Sequence, residues 1–107
     1  MRFEIVLAPT AVAELRALRA DIRARVRGAI ERHLRHEPTK LSRSRIKRLR
    51  GLQQPQYRLR VDEVRVFYDV AEARVEVLAI VPKQQAEEWL AQAGKRSSAH
   101  SLGEDEG

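Results

Sequence analysis

The chain opens on a short apolar run, Phe3-Glu4-Ile5-Val6-Leu7, of strand length and composition. Pro9-Thr10 ends it, and Thr10 is placed to cap a helix with Glu14 in its early turns. Val12, Leu15 and Leu18 then recur at helical spacing. From about Asp21, itself a candidate cap, Ile22, Val26, Ile30 and Leu34 fall four residues apart, with Ala29 and His33 beside them. Arg23, Arg27, Glu31, Arg32 and Arg35 take the opposite face. This pattern predicts two antiparallel helices joined tightly near Arg19-Ala20, and Glu37-Pro38-Thr39 ends the pair.

Residues 39–56 are polar, basic and irregular. They read as a loop tacked to the core by Ile46, Leu49 and Leu52. From Tyr57 the period changes to two. Tyr57, Leu59 and Val61 alternate with Arg58 and Arg60. Val64–Val70 follows after Asp62-Glu63, and Arg74–Val81 after Ala71-Glu72-Ala73. Such short turns predict an antiparallel meander. The last strand is the most apolar and is expected at the sheet centre. Pro82 closes it, and Lys83–Ala93 reads as a helix whose face Ala86, Trp89, Leu90 and Ala93 share. Glu87 and Glu88 are expected on its other side. The predicted class is α+β, in the order β-α-α-β-β-β-α, with an antiparallel sheet packed by an N-terminal helical hairpin. Arg58 and Arg60 point the same way from their strand, about 7 Å apart, close to the spacing of adjacent phosphates.

Composition sharpens this picture. A chain of 107 residues fits one small domain. Aromatic residues make up only 5% of the chain against a 43% apolar share, so the core is aliphatic. The absence of cysteine excludes a disulfide framework, a thiolate metal site and a cysteine nucleophile. No apolar run approaches the ~20 residues of a membrane span. Met1-Arg2-Phe3-Glu4 is unlike a signal peptide. These features predict a soluble cytoplasmic protein. Residues 94–107 are nearly devoid of apolar side chains and read as a disordered polar and acidic tail, leaving residues 1–93 for a single domain.

The net charge of +6 conceals an asymmetry. Residues 1–65 carry 17 basic and 7 acidic side chains, and residues 66–107 carry 4 and 8. Between Thr39 and Val61 stand Lys40, Arg43, Arg45, Lys47, Arg48, Arg50, Arg58 and Arg60, with no acid among them. Such a run repels itself unless an anion is near, and phosphate suits the planar arginine fork. The plain alternative is a solvated basic face. His33 and His36, beside Glu37, lack a further ligand and do not make a metal site.

The segments Lys47-Arg48-Leu49-Arg50-Gly51-Leu52, Tyr57-Arg58-Leu59-Arg60-Val61, Val64-Arg65-Val66-Phe67-Tyr68-Asp69-Val70 and the strand Val75–Val81 occur in that order after two amphipathic helices. In this the chain resembles the RelE/ParE toxin superfamily of bacterial type II toxin–antitoxin systems over about residues 2–93. Asp62-Glu63 stands where the family usually has a glycine-containing turn. Lys83-Gln84-Gln85 stands where its nucleases often place His, Arg or Tyr. RelE-like membership implies a ribosome-dependent, metal-independent mRNA endonuclease that inhibits translation, with no cofactor. ParE-like membership implies a non-enzymatic inhibitor of DNA gyrase. A basic RNA-binding module without toxicity is a third reading.

The resemblance implies site roles. Arg65 is the candidate for phosphate stabilisation, Arg58 and Arg60 are the basic pair of the preceding strand, and Lys83 follows the last strand. Arginine stays protonated, so Lys83 or Lys47 is the candidate proton carrier and Glu63 a candidate base. Lys40, Arg43, Arg45, Lys47, Arg48 and Arg50 would contact RNA or the ribosome. A structural pair of Arg65 with Asp69 or Glu76 is the alternative to its catalytic role. Tyr57 and Tyr68 read as core residues with wet hydroxyls, and Trp89 as the anchor of the last helix. The implied partners are an acidic, RelB-like antitoxin, with the ribosome and mRNA, or with gyrase on the second reading.

Overall fold

The computed structural model describes residues 2–106, with side chains through Gly94. The elements are β1 (Glu4–Leu7), α1 (Pro9–Ala17), α2 (Ala20–Ala29), β2 (Ile46–Arg48), β3 (Tyr57–Val61), β4 (Val64–Ala71), β5 (Arg74–Pro82) and α3 (Lys83–Glu106). A π-helical turn, Ile30–Leu34, extends α2. The sheet order is β1-β5-β4-β3-β2. β1 runs parallel to β5, and every other pairing is antiparallel. The α+β class and the meander are as the pattern predicts. The tail expected over 94–107 falls on the far part of α3 and its end, where side chains lie outside those described.

Four local expectations change. Thr10 does not cap α1. Pro9, with φ already near the helical value, opens the helix, and the Thr10 hydroxyl instead faces the Leu78 carbonyl at 3.4 Å. Asp21 does not cap α2. Arg19 holds the cap position, and Asp21 sits in the first turn, where the helix dipole favours an acid. The Arg19 guanidinium donates to it at 2.8 Å and holds its carboxyl down at about 2. Residues 46–48, expected within a loop, form the edge strand β2. Finally β4, not β5, is central: β1 makes β5 an interior strand, but β2, added beyond β3, moves the centre of the sheet to β4.

The main core lies between the sheet and the helices. Ala11 and Leu15 of α1 and Val26 of α2, with Ile30 and Leu34 of the π turn, meet Leu59, Val66, Tyr68, Val75, Val77 and Ile80. Burying such side chains contributes about 1.5–3 kcal/mol each. A bulge makes the set possible. Phe67 pairs with Ala79 but Tyr68 with Val77, leaving Leu78 as an extra residue on β5. The side-chain parity of β5 therefore switches, so Val75, Val77 and Ile80 all reach the helical face. Ala79 and Val81 turn to the opposite face, where Phe67 joins them. There α3 covers part of the sheet through Ala86, Trp89 and Leu90, and the Trp89 ring stacks on Phe67 at 4.8 Å.

Tyr68 corrects another expectation. Its hydroxyl is buried and donates to the Pro38 carbonyl at 2.6 Å, and its ring stacks on Tyr57 at 5.4 Å. The strand edge at β2 is partly capped. Ile46 donates its N–H to Ser42 Oγ at 3.1 Å, and its carbonyl accepts the Ser42 N–H at 3.0 Å. Ser42 thus stands in for a further strand at one residue of the edge.

Candidate phosphate-binding cleft

Strand alternation builds the site on the face away from the helical hairpin. β3 sends Tyr57, Leu59 and Val61 toward the main core, so Arg58 and Arg60 go the other way. Register then aligns Lys47 with Arg58 and Arg58 with Phe67. It also aligns Arg60 with Arg65 and Arg65 with Val81. The Lys83 N–H donates to the Glu63 carbonyl at 2.7 Å, which holds the start of α3 against the β3–β4 turn. Between these elements opens a cleft of about 600 Å³. Lys47, Arg58, Arg65 and Phe67 line it from the sheet, Lys83, Gln84 and Glu87 from α3, and Glu63 from the turn.

The electrostatics are those of an anion site. Arg65 is only 7% exposed, and its Nη1 donates to the carbonyls of Asp62 at 2.9 Å and Val64 at 3.1 Å. Carbonyl partners orient the guanidinium but do not neutralise it. The alternative pairing of Arg65 with Asp69 or Glu76 is not made. Asp69 accepts the Gln56 N–H at 2.7 Å, and Glu76 pairs with Arg74. Arg58 is half-buried, and its Nε is buried without a hydrogen-bond partner. Such a donor is an exception in folded proteins and calls for an acceptor. Burial, then repulsion from Arg65 and Arg60, lowers the proton affinity of Arg58. Burial and then Arg60 do the same to Arg65, against a smaller opposing pull from Glu63. A bound phosphate would relieve both effects.

The structure thus brings together Arg58, Arg65, Lys83 and Lys47. Arg60 is exposed and stands beside Arg65 in the ladder without lining the cleft. Arg48 lies on the other sheet face, its guanidinium 4.9 Å from the Tyr57 ring centroid. Lys40 and Arg45 line a separate pocket beyond the β2 edge, and Arg43 and Arg50 are exposed in the flanking segments. Glu87 is exposed, as the apolar pattern of the last helix expects, and it also lines the cleft. Its i, i+4 spacing from Lys83 carries that information, since both must share one helix face. Glu63 lines the cleft, in keeping with its turn position. Among the described residues, no group of three or more His, Asp or Glu is placed to hold a metal ion.

A helical hairpin packs one face of the sheet and a cation-rich cleft opens on the other, which defines a small α+β protein with its chemistry-bearing side chains on the face away from the hairpin. The family model described as ParE toxin of type II toxin-antitoxin system, parDE, matches residues 5–87. The chain therefore belongs to the ParE toxin family of the RelE/ParE superfamily, and it is a type II toxin–antitoxin toxin. Comparison with the curated proteins finds no match. Solved structures share the fold. The RelB–RelE antitoxin–toxin complex from Methanococcus jannaschii is similar at 20% identity and a TM-score of 0.59, covering 78% of this chain and 96% of that one. The archaeal RelE–RelB complex from Pyrococcus horikoshii is similar at 22% identity and 0.59, covering 78% and 97%. A free-state mutant of the E. coli toxin RelE is similar at 22% and 0.55, covering 90% and 98%.

Proposed function

We propose that this toxin cleaves mRNA on the ribosome and so arrests translation. The observation that carries this reading is the pair Arg58 and Arg65, desolvated at the floor of a cleft with no carboxylate partner, faced by Lys47 and Lys83. In-line cleavage needs a group to take the proton of the attacking 2′-hydroxyl. It also needs cations for the charge on the phosphoryl oxygens, and a donor for the leaving 5′-oxygen. Arg65 and Arg58 supply the charge. Lys83 gives a proton to the 5′-oxygen as the P–O5′ bond breaks. Glu63 or Glu87 accepts the 2′-hydroxyl proton as the new P–O2′ bond forms, leaving a 2′,3′-cyclic phosphate and a free 5′-hydroxyl.

An acidic antitoxin fits the opposite side of the molecule. A groove of about 480 Å³ between β1 and the helical hairpin is lined by Ile5, Leu7, Val12 and Ile30 and flanked by Arg16 and Arg27. Beside it Val6, on the edge strand β1, is 41% exposed. An amphipathic acidic segment would bury the apolar floor and meet the arginines. The cytoplasm, where ribosomes and mRNA meet, is the corresponding site of action. Gyrase inhibition is the second reading, favoured by a cleft in which no imidazole or hydroxyl side chain is among the lining residues.

Induction of the chain alone, followed within minutes by primer extension on abundant mRNAs, tests the proposal. Cuts confined to translated regions and in step with codons support it, and they should vanish in Arg58→Ala and in folded Arg65→Ala. Growth arrest with intact mRNA and a DNA-damage response would replace it with gyrase inhibition.

A further inference from the structure

We propose that the pocket beyond the β2 edge, formed by Arg32, His33, Lys40, Ser42 and Arg45, is a second RNA phosphate site, reached by RNA backbone that leaves the cleft and passes around that edge. This rests on the RNA reading above and adds the path of the substrate. The pocket measures about 310 Å³ and lies between the end of the π turn and the segment leading into β2. Three cations, Arg32, Lys40 and Arg45, line it against one carboxylate, Glu37, which Lys40 engages at 3.4 Å. His33 registers the resulting positive field. Burial, then Arg45 and Arg32, lowers its proton affinity, and only Glu37 opposes them.

The local chain geometry also presents hydrogen-bond donors. Ser42 Oγ accepts the N–H groups of Arg45 at 3.0 Å and Ile46 at 3.1 Å. Both acceptor positions of the oxygen are thereby engaged, which leaves its hydroxyl proton for donation to an added acceptor. Leu41, 58% exposed at the same pocket, offers an apolar surface to a ribose or base.

The two sites are joined by strand alternation. Ile46, a lining residue of this pocket, faces the main core, and Lys47, the next residue, lines the cleft. The pockets thus sit on opposite faces of one edge strand. Stacked layers of a sheet protein are about 10 Å apart, a span that a few nucleotides of extended backbone cross. Lys47 and Arg45 then mark the route from one face to the other.

The test uses single-stranded 2′-O-methyl oligonucleotides, whose blocked nucleophile prevents cleavage, in lengths of about three and about eight nucleotides. Binding is followed by fluorescence anisotropy at several salt concentrations. In Arg32→Ala/Arg45→Ala, both exposed positions, the longer oligonucleotide should bind at least ten-fold more weakly. Its log–log salt slope should fall by about 0.7 for each phosphate that is no longer neutralised. The shorter one should bind as to the native chain. Lys40→Ala, checked to melt like the native chain, should show the same length dependence with a smaller loss. Arg58→Ala should weaken both lengths. Unchanged binding of the longer oligonucleotide, or equal losses on both lengths, would overturn the second site. Because the readout is binding, the two proposals separate. Absent codon-phased cleavage with the length effect intact removes only the nuclease. Cleavage without the length effect removes only this pocket.

Discussion

At the scale of single residues, Glu72 and Tyr68 are under opposite constraints. Glu72 adopts φ +56° in the β4–β5 turn, a conformation that costs an L-residue with a long side chain about 1 kcal/mol. Asn tolerates that region, so Glu72→Asn should stabilise the fold by a few tenths to about 1 kcal/mol, read as a raised midpoint in urea. Asp62 occupies the same region at φ +52°, where its short side chain is better suited. Tyr68 is held by burial, which pushes its phenol well above the ordinary tyrosine value. Below the unfolded value of about 10, the phenol is neutral in both states and its bond to Pro38 is intact. Above that, the unfolded chain releases the proton while the fold retains it, so stability falls as pH rises. Tyr68→Phe should remove this alkaline slope and cost about 1–3 kcal/mol at neutral pH, because the Pro38 carbonyl loses its donor. Equilibrium unfolding at pH 7 and above pH 10 checks both.

Among the elements, α3 is attached differently from the rest. It rests on a small satellite cluster, Phe67, Ala79 and Val81, rather than on the main core. The near-parallel stack of Trp89 on Phe67, with 3° between ring planes, is its principal anchor. Trp89→Ala should cost about 3 kcal/mol or more, and hydrogen exchange should quicken in α3 ahead of β4 and β5. Activity should fall with it, since Lys83 and Glu87 form one wall of the cleft. Much of this is legible in the sequence. Period two at Tyr57–Val81 marks the meander, and the apolar spacing of Ala86, Trp89 and Leu90 marks the anchor. What escapes is set by pairing between residues distant in the chain. Ile46-Lys47-Arg48 has no strand pattern of its own and is ordered by the open side of β3 and by Ser42. The step from Val77 to Ile80 breaks the alternation, and only the pairing with β4 makes it a bulge. Arg58, Arg65 and Lys83 stand out as chemistry-bearing residues, but a cleft between β4 and α3 depends on which way the helix folds back.

For the whole molecule, cations stand at both ends of the sheet but in different company. At one end they line the cleft and the pocket beyond the β2 edge. At the other, Arg16 and Arg27 flank the apolar groove beside the open strand β1. Exposed charges separated by more than a Debye length, about 8 Å at physiological salt, are screened. On the proposed docking of an acidic antitoxin at the groove, its capture should therefore slow at least ten-fold between low and high salt, measured by stopped-flow, while its dissociation, governed by apolar contacts, changes little.

The pairing of β1 with β5 has a consequence for biosynthesis. Glu4–Leu7 is made first, but its partners in the sheet are Arg74–Val77. The first strand must wait unpaired through most of synthesis, and long-range pairing of this kind forms late and slowly. A nascent chain is thus kept incomplete until β4, β5 and α3 have left the ribosome, so the cleft that β4 and α3 wall closes only when synthesis is nearly over.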